Sequence, residues 1–329
     1  MTTTSDVLPS EEILTEIADD TYRSLVRRLS QQSVIKHFDA YADVEWDAPH
    51  MSIDPADHRW ELTDADTLGR TSWYQSLPQE TRASLGLEII ASQMKTGLEF
   101  ERVLKRGLLE FAGTLPNGAP EFRYAYHEVI EEAHHSLMFQ EFVNRTGFDV
   151  RGLNRFDQIG ARFVVSLGRR FPALFFIFVL GGEDPIDYVQ REVLRSAMPL
   201  HPLLERIMRI HVTEEARHLS FARHYLKKHV PQLGWLRHIG LAIGAPLVLS
   251  SMAQMMLKPS RRIVRHYQIP KTVIKEAFTD SQDHKDGTLA SLRKVRRLCE
   301  ELGILGPAAQ RLWRVLGLYE RQVVTDGQS

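Results

Sequence analysis

Two stretches of this chain repeat each other: HEVIEEAHHSLMF at 127–139 and HVTEEARHLSF at 211–221. Laid together, EEAHH falls on EEARH, Glu132 on Glu215 and His135 on His218, so each copy carries Glu-x-x-His. At i and i+3 on a helix two side chains share a face, about 5–6 Å apart at Cβ, and both can reach one metal ion. One such pair arises easily by chance and is most often a surface ion pair. Two copies 83 positions apart, in matching local context, are far more restrictive. Carboxylates and imidazoles are costly to bury without partners. Four-helix bundles that hold two metals use a Glu-x-x-His from each of two helices and one further Glu from each of the other two. The repeat therefore predicts an all-α protein with a four-helix-bundle core.

The rest of the chain agrees. Alternating β-branched runs with hairpin turns are absent, and helical periodicity dominates from about residue 80. A first helix is expected near 11–31, followed by irregular chain rich in Pro, Asp and His. Helices are then expected to about 113, over 120–146, from 155, on to 196, over 202–228, over 236–257 and from 270 to 320. The GTLPNGAP and AMPLHP stretches are the turns. A kink is expected at Gly181-Gly182 or Pro185, and VVTDGQS reads as a loose tail. No linker divides the chain. Residues 1–75 form an N-terminal helix and irregular segment packing on the core, and 76–329 form the helical-bundle domain, one domain overall.

If the two motif helices face each other, each preceding helix must supply an inward glutamate. On the first, the apolar stripe runs Ile90, Met94, Gly97, then position 101, then Leu104, Leu108 and Phe111. Glu101 interrupts it, whereas Glu99 falls on the side of Lys95, Arg102 and Arg106, which reads as solvated. On the second, Glu183 and Glu192 compete. Glu183 is favoured because the AMPLHP turn lies midway between it and Glu215. His211, four residues before Glu215, adds a third histidine, and the matching position in the first repeat is Glu128. The neighbouring Glu131 and His134 read as solvated. The candidate metal ligands are Glu101, Glu132, His135, Glu183, His211, Glu215 and His218.

Composition narrows the chemistry. Lys+Arg of 41 against Asp+Glu of 42 gives no electrostatic reason to expect nucleic acid. A single cysteine, Cys299, excludes a thiolate-built metal site. The polar, acidic start has no signal-peptide pattern, so a cytoplasmic location is expected. Residues 239–257 carry no charge, which is nearly the length of a membrane span, but Pro246 and two glycines favour a buried bundle helix. Carboxylates and imidazoles without thiolate suit iron or manganese. The phenylalanines at 171, 175, 176 and 178 are candidates for an apolar wall beside the site.

The set Glu101, Glu132-x-x-His135, Glu183, His211-x-x-x-Glu215-x-x-His218 resembles the ferritin-like di-iron oxygenases of the p-aminobenzoate N-oxygenase (AurF) type. Those enzymes also place a third histidine four residues before the second glutamate. The likeness covers about 85–230 and includes ERVLKRGLL, GGEDPIDYVQRE and HVTEEARHLSFARHYL. It implies a homodimeric all-helical fold, two iron ions, Glu132 and Glu215 as bridging carboxylates, and O2-dependent oxidation of an aromatic amine to hydroxylamine and nitro products. An external electron donor is then a partner, and manganese with iron is the alternative metal pair. A desaturase-like oxidase or a metal-storage bundle is the competing reading. A substrate carboxylate would need a cation, for which Arg162, Arg169, Arg170 and Arg195 are candidates.

Overall fold

Prolines set where several of the helices begin. Pro120, Pro172, Pro202 and Pro307 each stand in a first turn, where the missing N–H costs nothing and the fixed φ already suits a helix. The computed structural model describes residues 11–196, 199–256 and 258–319. The opening decapeptide, Ala197 and Met198 of the AMPLHP turn, and the VVTDGQS tail lie outside the described residues.

Among the described residues every regular element is helical. The α-helices are α1 (Glu11–Ile35), α2 (Ser72–Gln75), α3 (Gln79–Ala112), α4 (Pro120–Thr146), α5 (Arg155–Arg170), α6 (Pro172–Arg195) and α7 (Pro202–His229). They continue with α8 (Trp235–Met256), α9 (Arg261–His266), α10 (Lys271–Lys275), α11 (Gln282–Ser291), α12 (Arg293–Glu301) and α13 (Pro307–Val315). The core is a ferritin-like set of four, α3 packed on α4 and α6 on α7, with α3 also against α6 and α4 against α7. α4 ends at Gly147, whose φ of 71° is the left-handed cap conformation that glycine adopts without strain.

Two apolar clusters occupy opposite ends of the bundle, and the polar motifs fall between them. On α3 one cluster ends at Met94 and the other begins at Phe100; on α7 the same break lies between Ile210 and Leu219. On α4 it lies between Ala125 and Met138. The glutamates and histidines of the repeat fill that middle layer.

Two expectations are corrected. The helix expected to run from 155 through the FFIF stretch breaks instead at Phe171, where φ is −149°, because Pro172 opens a new helix. That helix then runs through Gly181, Gly182 and Pro185. The glycines serve packing, since a Cβ on Gly182 would collide with the Phe100 ring, and one on Gly181 with Leu249. Residues 239–257 were expected to be a buried bundle helix, but α8 buries one face only. Leu241, Ala245 and Leu249 are inside, whereas Trp235, Ile239, Ile243 and Leu247 are exposed. It is long and apolar enough to cross a membrane by length and composition.

The N-terminal segment lies over the motif helices. α1 packs on α4 and α7. The Phe38 N–H donates to Glu214 on α7, and the Ala40 N–H to His134 on α4. Farther on, Trp60 is buried and stacks on His201, ring centroids 4.2 Å apart.

Candidate metal centre

Glu101, Glu132, His135, Glu183, His211, Glu215 and His218 converge in the middle layer, each at most 1% exposed. α3 supplies Glu101, α4 the pair Glu132 and His135, α6 Glu183, and α7 the remaining three. Four overlapping triplets bring one ligand atom per residue within 4.8 Å of one another: Glu101/His135/His211, Glu132/His135/Glu215, Glu183/His211/Glu215 and Glu128/Glu132/His218. Glu192 is not among them; it is exposed and pairs with Arg195.

Each histidine is held by a partner on its far nitrogen. His135 donates through Nε2 to Glu214 Oε2 at 2.8 Å, which turns Nδ1 toward Glu132 and Glu215, both at 3.6 Å. His218 donates through Nε2 to Glu131 Oε2 at 2.8 Å, which turns Nδ1 toward Glu132 and Glu215, both at 3.0 Å. His211 donates through Nδ1 to Gln190 Oε1 at 3.0 Å and presents Nε2 to Glu101, Glu183 and Glu215 at 3.8–3.9 Å. A bond on one ring nitrogen leaves the other free as a ligand, which is the usual support of a metal-binding histidine. The support is reciprocal. Glu131 on α4 holds the histidine of α7, Glu214 on α7 holds the histidine of α4, and Arg217 lies 2.8 Å from the first and 3.5 Å from the second. Glu101 is oriented by Ser136, whose hydroxyl donates to it at 2.8 Å and is itself contacted by Lys105.

Glu131 therefore corrects the sequence reading, which put it on a solvated face; it is 2% exposed. Its signal was present, because it and Glu214 are the first glutamates of the two EEA-x-H copies. Glu99 is also buried, paired with Arg102 beneath Gly152, but it stays outside the cluster. Gln190, two turns beyond Glu183 on the same face, carried no comparable signal.

The charges do not balance within the protein. Burial and the neighbouring Glu132 push Glu101 well above the ordinary carboxylate range; burial and Glu215 do the same to Glu183. Burial would raise Glu132 too, but the neighbouring imidazoles of His135 and His218 outweigh it and hold its carboxylate low. Burial and the charge of His135 hold His211 well below the usual imidazole value. Both oxygens of Glu183, one oxygen each of Glu101 and Glu215, and Nδ1 of His135 have no hydrogen-bond partner. Buried polar atoms in such numbers are exceptional unless a cation shares them. An oxygen- and nitrogen-only donor set of this kind fits two iron-class ions.

A cavity of about 230 Å³ adjoins the cluster. Phe139 and Gln190 line it, with Ile90, Met94, Ile186 and Val189. Phe139 also stands against two of the histidines, 5.4 Å from the His211 ring and 6.5 Å from His135. The phenylalanines expected to wall the site do not line this cavity. Phe175 and Phe176 are fully buried, and Phe176 packs on Phe111, Phe221 and Tyr225. Arg162, Arg169, Arg170 and Arg195 are all exposed and do not line it either; Lys258 does.

Residues 19–303 match the family model of p-aminobenzoate N-oxygenase AurF. The chain belongs to the AurF family. Membership supports a di-iron oxygenase, and the buried Glu/His groups fit a metal site. Similar proteins include the uncharacterized protein MT0908 of Mycobacterium tuberculosis (strain CDC 1551 / Oshkosh) and the uncharacterized protein Mb0909 of Mycobacterium bovis (strain ATCC BAA-935 / AF2122/97). Each is 39% identical over 301 residues, which span 91% of this chain and 88% of the relative. No solved structure matches the chain.

Proposed function

We propose that this AurF-family chain is an O2-dependent di-iron monooxygenase that N-oxygenates a small aromatic amine, taking electrons from an external donor. The supporting observation is the cavity whose inner wall, Phe139 and Gln190, is also in contact with the histidines of the cluster. Glu101, Glu132, His135, Glu183, His211, Glu215 and His218 would hold the two ions. When bound, such a centre supplies the reductive activation of O2. The balance for the first turnover is an amine, O2, two electrons and two protons giving a hydroxylamine and water.

The chain's own residues have separable tasks. Glu131, Glu214 and Gln190 keep each imidazole in the tautomer that faces inward. Phe139 and the aliphatic walls exclude water and accept an apolar ring. Lys258, exposed at the cavity, is placed to meet an acidic group on the outer end of the substrate. We place the protein in the cytoplasm as a homodimer, following the family likeness.

The test begins with metals. Protein from iron-supplemented cells should hold close to two irons per chain, and Glu215→Ala far less. With two irons present, arylamines and a reductant under 18O2 should give labelled hydroxylamine and nitro products. Folded wild-type protein without metal would overturn the reading. Two irons with carbon-hydroxylated or desaturated products would keep the centre and replace the reaction. Iron and manganese together would shift the metal pair.

A further inference from the structure

We propose that Glu128 is an eighth protein ligand of the metal centre, on its His218 side. The inference rests on the metal-binding reading above and adds a residue that the sequence comparison set aside. In the internal repeat Glu128 occupies the position of His211, one turn before the Glu-x-x-His. A carboxylate thus stands where the second repeat has an imidazole.

Three observations carry it. Glu128 is 1% exposed, and neither of its oxygens has a hydrogen-bond partner. One of those oxygens lies within 4.8 Å of the donor atoms of both Glu132 and His218, so all three can reach one ion. The groups around Glu128 do not otherwise neutralise it. Its electrostatic neighbours are three glutamates and a single imidazole, His218, which already serves Glu131, Glu132 and Glu215. Tyr124, one turn earlier on the same face, is buried with its hydroxyl also unpartnered, so it does not satisfy the carboxyl. A protonated carboxyl would still need an acceptor, and neither oxygen has one within hydrogen-bond distance. A metal ion is the partner whose chemistry fits two bare oxygens pointing into a carboxylate and imidazole cluster.

The experiment uses Mn(II), which loads without redox chemistry, and full-length wild type beside Glu128→Gln. Competition with a fluorescent chelator gives the number and affinity of bound ions, and crystals of the Mn(II)-loaded wild type give the distances. The expected result is two ions in the wild type, one of them held at least about tenfold more weakly in the variant. In the crystal a Glu128 oxygen should lie about 2.0–2.5 Å from an ion. Two ions bound by Glu128→Gln with wild-type affinity, or a Glu128 oxygen beyond ligand distance in the loaded crystal, would overturn the assignment and leave the rest of the centre intact. Wild type that binds no ion would overturn this assignment together with the metal-binding reading. Glutamine is close to isosteric and removes an unpartnered buried charge. Circular dichroism should report an unchanged fold. If the variant failed to fold, the wild-type crystal distance alone would decide.

Discussion

Replacing Glu214 by glutamine should damage metal binding without touching a ligand. Glu214 is fully buried and serves two donors at once. Its Oε2 accepts from His135 Nε2 at 2.8 Å and its Oε1 from the Phe38 N–H at 3.1 Å. Glutamine offers one oxygen and one NH2 to those two donors. If the NH2 faces Phe38, two buried donors oppose each other. If it faces His135, the ring must accept there, its proton moves to Nδ1, and that N–H points at the place a metal needs. Either outcome costs about 1–3 kcal/mol, the penalty of an unsatisfied buried polar group. That corresponds to about 5–150-fold in the metal dissociation constant. The assay is Mn(II) titration against a competing chelator, with Glu205→Gln as the control. Glu205 lies on the same helix but is only paired with Arg209 near the surface. A Glu214→Gln affinity within about threefold of wild type, a difference under ~0.7 kcal/mol, would refute the claim that Glu214 fixes the His135 tautomer.

Other perturbations test the frame. A Cβ on Gly168 would land on the backbone carbonyl of Gly107 where α5 crosses α3, so Gly168→Ala should destabilise by about 1–3 kcal/mol. Gly160→Ala, on the same helix with nothing near its Cβ, should be neutral or slightly stabilising, and thermal melts distinguish the two. The Arg59 side chain holds the Asp57 carboxyl down at about 2. Its stabilising contribution is therefore complete above the unfolded carboxylate value, about 3.9, and is lost as pH falls from there toward 2. Urea titrations between pH 5 and 2 should show a shallower loss in Asp57→Asn, and equal slopes would contradict the pairing. If the proposed centre holds its ions, chelating them should lower the melting temperature, because ligand at about 100 times Kd adds about 2.7 kcal/mol; an unchanged melt would contradict metal binding in the folded core.

The sequence carried much of this centre because its signals are local to single helices. Glu101 stands out because it interrupts an apolar stripe, and Glu132 and His135 because their context recurs at 215 and 218. Glu183 could be set apart from Glu192 by its distance from the turn. What failed needed knowledge of neighbours. A helical wheel shows which residues share a face, but it does not show that α1 and residues 36–46 cover the outer face of α4 and α7. Glu131 therefore read as solvated although Arg217 and His218 surround it. The break at Phe171 was missed because FPALFF is apolar on both sides of Pro172, so periodicity passes through it. The one-sided burial of α8 lies outside what its composition can express, since both its faces are apolar.

The internal repeat also divides the centre between two helical hairpins. Glu101 meets His135 within one helical hairpin, and Glu183 meets His211 within the other. Each hairpin brings together residues near in sequence, which closes cheaply and fast. Joining the hairpins brings their carboxylates into one layer, where they repel one another. Metal ions bound at these residues would join the two hairpins and act as a latch across them. Their effect then falls on the rate of opening rather than the rate of folding, and loaded protein should resist unfolding kinetically for longer than its equilibrium gain alone would indicate.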